Sequence, residues 1–361
     1  MTVKKQTKTV VTIVGARPQF IKVAPVSRAI RDTGRIKEIL VHTGQHFDAN
    51  MSDVFFEELG IAKPDHNLEV GGGGHGAMTG SMLQRLEPLL QEIRPDVVLI
   101  YGDTNSTLAG ALTAAKLHIP VAHIEAGLRS FNRAMPEEIN RVVADHLSAL
   151  LFASTDVAVA NLQHEGVDPA KVHQVGDVMY DAALLFADRS KDRTILSDVG
   201  VEPGRYVLST LHRAENTDDR ARLAALTAAL DRVAEELPVI LPLHPRTRGA
   251  MERHGLRFER VKTVDPVGYL DMVALEANAA VIATDSGGVQ KEAFFYAVPC
   301  VTLRDETEWT ELIDLGWNEL AAPTGPAIAE QILAAVGRKG TEAFPYGDGT
   351  AARSIAAKLA E

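Results

Sequence analysis

The stretch "AAVIATDSGGVQKE", Ala279 to Glu292, reads as a buried strand, a sharp turn and the opening of a helix. Gly287 and Gly288 let the backbone of that turn come close to a ligand, and the helix start offers unpaired N–H groups to an anion. Working outward, the same rhythm recurs. "TVVTIVGA", "KEILVHTG", "DVVLIYGD", "IPVAHIEAG", "LLFAS" and "VHQVGD" alternate with helically spaced segments in the first half; "YVLSTLH", "PVILPLH", "RVKTVDP" and "PCVTLRD" do so in the second. Short β-branched runs alternating with amphipathic stretches build βαβ units and parallel sheets, an α/β fold with two doubly wound, Rossmann-like domains. The pattern lapses over "DRSKDRTILSDVGVEPG", 188–204, which predicts an N-terminal domain over 1–190 and a C-terminal one over 204–345. A last helix is expected within 346–361, and "GGGGHG", 71–76, reads as a mobile loop ahead of a helix.

With 361 residues, 46% of them hydrophobic, the chain can fill two such cores. Its net charge of −11 and 5% aromatic content argue against a nucleic-acid partner, which needs a basic face or a stacking platform. The single cysteine, Cys300 in "VPCVTL", excludes an internal disulfide and reads as a buried strand thiol. No apolar leader precedes "TVVTIVGA" and no run reaches the length of a membrane span, so a cytoplasmic protein with no membrane partner is expected.

In doubly wound sheets ligands bind beyond the carboxyl ends of the strands, so the residues just after each strand carry the chemistry. Two domains with polar strand ends predict a ligand in the cleft between them. After the opening strand, Ser286 with Gly287 and Gly288 predicts a phosphate cradle, with Asp285 and Ser286 as simple helix caps the alternative. Glu292, one turn beyond Gly288, would face the same ligand and accept from a ribose diol. Arg17 of "GARPQFIK" stands at a strand-to-helix junction where its planar fork can bridge phosphate oxygens, with Lys22 one turn further on. The later glycines of a dinucleotide fingerprint are missing, which argues against NAD.

Asp103 and Glu125 end the strands "DVVLIYGD" and "IPVAHIE", expected as neighbours, and Glu137 opens the helix "PEEINRVVADH". Acids gathered at strand ends with little obvious charge balance are where proton transfer is expected. Glu138 is assigned to the helix dipole alone. No acid pair has the spacing of a cation loop, so no metal is expected. His46, His212 and His244 also follow strands, and "HRAEN" and "HPRTR" put arginine beside the last two.

Taken in order, "GARPQFIK", "TGQHFDANM", "YGDTNSTLAG", "HIEAGLRS", "MPEEINR", "LHRAEN", "TDSGGVQKEA" and "YGDG" resemble the non-hydrolysing UDP-N-acetylglucosamine 2-epimerases. The resemblance implies a glycosyltransferase-B-like fold with the nucleotide mainly on the second domain. The final helix would return to the first domain, and the protein would be a homodimer. It implies that Arg17, His212, Ser286, Gly287 and Gly288 hold the diphosphate and Glu292 the ribose. Arg141 and His244 would support the anionic end, with Lys22 near the sugar and Asp103, Glu125 and Glu137 as acid and base. The implied reaction expels UDP to leave a 2-acetamidoglucal and adds it back, interconverting UDP-GlcNAc and UDP-ManNAc for surface polysaccharide synthesis, with no cofactor. Gln45 and His46 match an allosteric substrate site, though Ala214 departs from the pattern that goes with it. Trp309 in "RDETEWTE" and Ala214 in "HRAEN" depart from the commoner members and resemble the subgroup of UDP-2,3-diacetamido-2,3-dideoxyglucuronate 2-epimerases. That sugar is the alternative substrate. A hydrolysing 2-epimerase, a glycosyltransferase of the same fold and a non-catalytic nucleotide-sugar binder would share many of these residues.

Overall fold

The computed structural model describes residues 7–45 and 56–361. Among the described residues, thirteen strands form two all-parallel sheets. The first contains β1 (Lys8–Val14), β2 (Ile36–His42), β3 (His66–Asn67), β4 (Val97–Tyr101), β5 (Val121–Ala126), β6 (Leu150–Ala153) and β7 (Val172–Gln174), in the order β3-β2-β1-β4-β5-β6-β7. The second contains β8 (Val207–Thr210), β9 (Val239–Pro242), β10 (Lys262–Val264), β11 (Val281–Thr284), β12 (Cys300–Thr302) and β13 (Asn318–Leu320), in the order β10-β9-β8-β11-β12-β13. Helices cover both faces, which is why the central strands are buried without alternation: all five residues of β4 and all four of β8 and β11 are buried.

The chain divides into two compact units, 1–182 with 344–361, and 183–343, the division falling inside the helix Val178–Ser190. In the first, Val11, Ile13, Val98 and Ile100 pack against Met82, Leu86 and Leu90 of the helix His75–Ile93 and Ala109 of the helix Asn105–Lys116. The helix His75–Ile93 begins directly after the "GGGG" run, with Gly74 at its N-cap, so it takes in the last two residues of the stretch expected as a loop. The final helix, Ala351–Leu359, packs on the helix Arg17–Thr33, and the Arg35 guanidinium donates to the Ala360 carbonyl at 2.6 Å. In the second unit Val207, Val281 and Val301 meet Leu223, Leu226 and Leu230 on one face, while Tyr206, Leu208, Ile282 and Cys300 form the core of the other. Burial pushes the Cys300 thiol up to about 12, as suits an inert strand residue. No helix of the described residues is long and apolar enough to cross a membrane.

Each sheet has one switch point, where successive strands depart in opposite directions: between β1 and β4 in the first, between β8 and β11 in the second. Arg17 and Asp103 follow the two strands flanking the first. His212 and Ser286 follow the two flanking the second.

Candidate active site

The first unit builds its site from adjacent strand ends. β4 and β5 pair in parallel, so the segments carrying Asp103 and Glu125 leave the sheet side by side. The pairing of β5 with β6 slips between Ile124 and Ala126, and Glu125, the residue at the slip, has φ of 73°. A bulge of this kind turns one side chain out of the strand's alternation, and a non-glycine residue held there is strained. The Glu125 carboxylate is thereby delivered to Lys22, with which it forms a short, nearly buried ion pair. Burial pulls the Lys22 ammonium down, but the charge and hydrogen bond of Glu125, helped by Asp103 and Asp177, outweigh it and leave the group raised. Asp177, buried just after β7, is an acid of this group that sequence reasoning passed over.

Gly102 is the joint between the two acids. Its φ is 61°, and a Cβ there would stand 3.1 Å from Glu125 Oε2 and 3.5 Å from Lys22 Nζ. Asp103, one residue on, is held by the helix Pro136–Leu147: Arg141 donates to its carboxylate at 2.5 Å and the Asn140 amide donates to its carbonyl at 2.8 Å. The expectation of acids lacking charge balance is therefore corrected. Asp103 and Glu125 each have a cation, contributed by residues far away in sequence.

The first turn of that helix also corrects an assignment. Glu138 does more than complement the dipole. It is buried, and the backbone N–H groups of Ser130 and Phe131 donate to its two oxygens at 2.9 Å each, as does Arg141 Nε at 3.0 Å. Burial raises its carboxyl, yet these donors bring it below the ordinary glutamate range. Glu138 thus pins the preceding loop, which carries Phe131 at φ of 57°. Glu137 is exposed on the outer side of the same turn. Arg17 is exposed at the start of its helix. Gln45 accepts from the backbone N–H and the hydroxyl of Ser106, at 3.1 and 2.8 Å, and so caps the helix after β4; His46 lies outside the described residues.

Behind this site is a buried network that sequence reasoning also missed. His123, fully buried in β5, lies between Asp145 and the Gly102 carbonyl; Asp145 meets Arg129, and Arg129 makes a two-pronged pair with Glu165. The one signal for it is a histidine inside an otherwise apolar strand.

In the second unit the acid of "TDSGG" turns inward. Asp285 is fully buried and accepts from the backbone N–H groups of His212 at 3.0 Å and Arg213 at 2.9 Å and from the Asn216 amide at 3.2 Å, fastening the strand end of β8 to that of β11. Asp285 thus joins two strand ends instead of capping the helix that follows it, and of the two helix-cap candidates only Ser286 takes that place. Ser286 is the N-cap of the helix Gly287–Phe295. The two glycines differ: a Cβ on Gly287 would lie 2.6 Å from Glu308 Oε1, whereas on Gly288 it would meet nothing nearer than Ser286 Oγ at 3.9 Å. A Cβ at Gly287 would press only on the end of the exposed Glu308 side chain, which can give way, and Gly288 leaves its backbone open. Trp309 Nε1 donates to the Gly287 carbonyl at 2.9 Å, and Lys291 stands over the Trp309 ring.

The His212 and His244 rings lie 5.6 Å apart. Burial moves His212 down, Asp285 partly restores it, and the charges of His244 and Arg213 push it down further, which leaves the ring below the ordinary histidine value. His244 Nδ1 accepts from the Arg246 backbone N–H at 3.1 Å, which in the neutral ring leaves the proton on Nε2 as a donor. Glu292 is buried beside Tyr269, whose hydroxyl lies 3.4 Å from it.

The chemistry is thus two charge-matched carboxylates on one sheet and a set of imidazole, hydroxyl and amide donors on the other. The family model described as UDP-N-acetylglucosamine 2-epimerase matches residues 28–360. The chain is 53% identical to the UDP-2,3-diacetamido-2,3-dideoxy-D-glucuronate 2-epimerase of Pseudomonas aeruginosa, over 98% of this chain and 99% of that one. It is 42% identical to a UDP-N-acetylglucosamine 2-epimerase of Methanocaldococcus jannaschii, over 95% and 96% of the two chains. The crystal structure of the M. jannaschii UDP-GlcNAc 2-epimerase in complex with UDP-GlcNAc and UDP superposes with a TM-score of 0.85 at 41% identity, covering 97% of this chain and 99% of that one. With a glycosyltransferase-B-like pair of parallel sheets and this full-length likeness, the chain belongs to the UDP-N-acetylglucosamine 2-epimerase family of isomerases.

Proposed function

We propose that the protein inverts C2 of a UDP-sugar by elimination and re-addition, and that its sugar is 2,3-diacetamido-2,3-dideoxyglucuronate rather than N-acetylglucosamine. The observation that carries the chemistry is the pair Asp103 and Glu125, two carboxylates on adjacent strand ends, each beside a cation. One carboxylate takes the C2 hydrogen as a proton while the C1–oxygen bond to UDP breaks and its electron pair leaves with the diphosphate, giving UDP and the glycal. Protonation of C2 from the other face and attack of the UDP oxygen on C1 restore the nucleotide sugar. Two acids in different surroundings suit the two faces; Glu137 is the third candidate, and Lys22 would stand with Glu125 beside the sugar.

His212, the Ser286 hydroxyl, the amides at Gly287 and Gly288 and the exposed Arg17 would receive the diphosphate, and preorganised donors there lower the cost of its departure. His244 would donate through Nε2. Arg141 would act by way of Asp103, which it already grips, and Glu292 would take the ribose. Gln45 is committed to Ser106, which speaks against its use for an activating ligand.

The choice of sugar rests on the higher identity to the Pseudomonas aeruginosa relative; Trp309, by which the sequence resembles the diacetamido-glucuronate subgroup, donates to the carbonyl of the phosphate turn. The same reading carries a cytoplasmic homodimer that supplies surface polysaccharide synthesis. The test is NMR of the purified protein with each UDP-sugar in deuterated water. Deuterium should enter C2 of the diacetamido-glucuronate at least about tenfold faster than C2 of UDP-GlcNAc. Faster exchange with UDP-GlcNAc would reverse the sugar, accumulation of free sugar and UDP would mean hydrolysis, and binding without exchange would mean a transferase or a binding protein.

A further inference from the structure

The buried network behind the acid pair holds a charge that the proposed reaction does not consume. His123 is wholly inaccessible in β5, and both of its ring nitrogens are engaged: Nδ1 lies 2.7 Å from Asp145 Oδ1, and Nε2 lies 2.7 Å from the Gly102 carbonyl oxygen. A carbonyl oxygen only accepts, so Nε2 carries a hydrogen. Asp145 is an acceptor as well, because the Gly127 N–H donates to its Oδ2 at 3.0 Å and Arg129 reaches the same oxygen at 2.8 Å. Although burial raises the Asp145 carboxyl, His123 and Arg129 together bring it below the usual aspartate range. Neutral imidazole has a single N–H, and two acceptors require two.

We propose that His123 is a doubly protonated imidazolium that acts as a positioning residue for the acid pair, fixing the Gly102 carbonyl and through it the spacing of Asp103 and Glu125. Burial of the cation is supported by its neighbours: His123 and Arg129 supply two positive charges, Asp145 and Glu165 two negative ones, each in hydrogen-bonding contact. Gly102 is where such an anchor has leverage, since its missing side chain makes room for Glu125 and Lys22 and Asp103 follows it directly. The helix that carries Asp145 also carries Asn140 and Arg141, so one helix holds the Gly102–Asp103 turn at three points.

The catalytic half of this inference rests on the 2-epimerase reading; the charge state does not. Ring-labelled histidine in the wild-type protein, read by long-range proton–nitrogen NMR at pH 7.5, should show both His123 nitrogens bearing hydrogens. A bare nitrogen at His123 would overturn the imidazolium. Asp145→Asn and His123→Phe should each lower kcat for C2 exchange about 10- to 100-fold with KM and UDP affinity within about twofold of wild type, the signature of misplacement. A raised KM with kcat intact, or exchange at the wild-type rate, would overturn the positioning role. Should His123→Phe fail to fold, the wild-type spectrum and Asp145→Asn still decide. If the wild-type protein exchanges C2 of neither UDP-sugar, the epimerase reading fails while the spectrum continues to judge the charge.

Discussion

The two sheets end in opposite electrostatics. After β4 and β5 the acids face their own cations, Arg141 on Asp103 and Lys22 on Glu125, at the edge of the buried network of His123, Asp145 and Arg129. After β8 and β11 the acid is turned inside, where Asp285 holds the backbone amides of His212 and Arg213, and the outward groups are imidazole, hydroxyl and an open glycine amide. Carboxylates at strand ends can exchange protons with a substrate, whereas helix-start amides with imidazole and hydroxyl groups beside them can meet an incoming anion. The same sequence device, a carboxylate just past a buried strand, therefore has two fates, and what decides between them is whether a long-range cation or a neighbouring turn's N–H groups reach it first.

The largest expected effect separates the two regions by what is lost. Asp103→Asn and Glu125→Gln should each reduce C2 exchange by about 10³-fold, within the range for removal of a general acid or base, with UDP affinity unchanged by titration calorimetry. Glu125→Gln should also lower the melting temperature, since it leaves the Lys22 ammonium buried without its counter-ion. A loss of UDP affinity equal to the loss of exchange would erase the division between the regions.

The second region predicts a contrast between neighbouring glycines. Gly288→Val adds bulk where nothing packs, so stability should stay within about 1 kcal/mol, while UDP affinity should fall about 100-fold (about 2.7 kcal/mol) as the phosphate loses its approach. Gly287→Ala meets the carboxylate end of the exposed Glu308 side chain, which can give way, so its effect on UDP affinity and on the melting temperature should be small beside the loss of affinity in Gly288→Val. Equal effects of the two on UDP binding would contradict a cradle centred on Gly288.

Sequence reached the fold because strand–turn–helix chemistry is local: buried β-branched runs ending in glycine or a polar residue are visible within ten residues, and the parallel sheets follow from their alternation. The candidate site was legible as far as strand ends go, which brought out Asp103, Glu125, His212 and Ser286. Its wiring was not. Lys22 and Glu125 are 103 positions apart and Arg141 and Asp103 are 38 apart, so no local pattern announces either pair. Glu138 was hidden for another reason: two acids in a helix's first turn already have a sufficient dipole explanation, and only the fold of the preceding loop shows one of them buried under its N–H groups. His123 escaped because it sits inside its strand, where the strand-end rule does not look.

The smallest expected effect concerns an acid in the first unit that has no cation. Asp181 accepts the Ala351 and Ala352 backbone N–H groups of the final helix at 3.2 and 2.9 Å. Burial raises its carboxyl to about 6; these N–H groups lower it in part, and the nearby charge of Asp177 raises it again. A folded-state value above the ordinary 3.8 means that the folded protein binds the proton more tightly than the unfolded chain, so Asp181's contribution to stability is whole below about pH 4 and is lost as pH rises through 6. The paired acids run the other way: Asp145 and Glu138, held low, lose their contributions as pH falls. Asp181→Asn keeps an oxygen for the Ala352 N–H but cannot ionise, so its stability relative to wild type, from urea unfolding at pH 4.5 and 7, should improve by roughly 2 kcal/mol at the higher pH. A constant difference between the two proteins would mean that the helix N-terminus compensates Asp181 as Lys22 compensates Glu125.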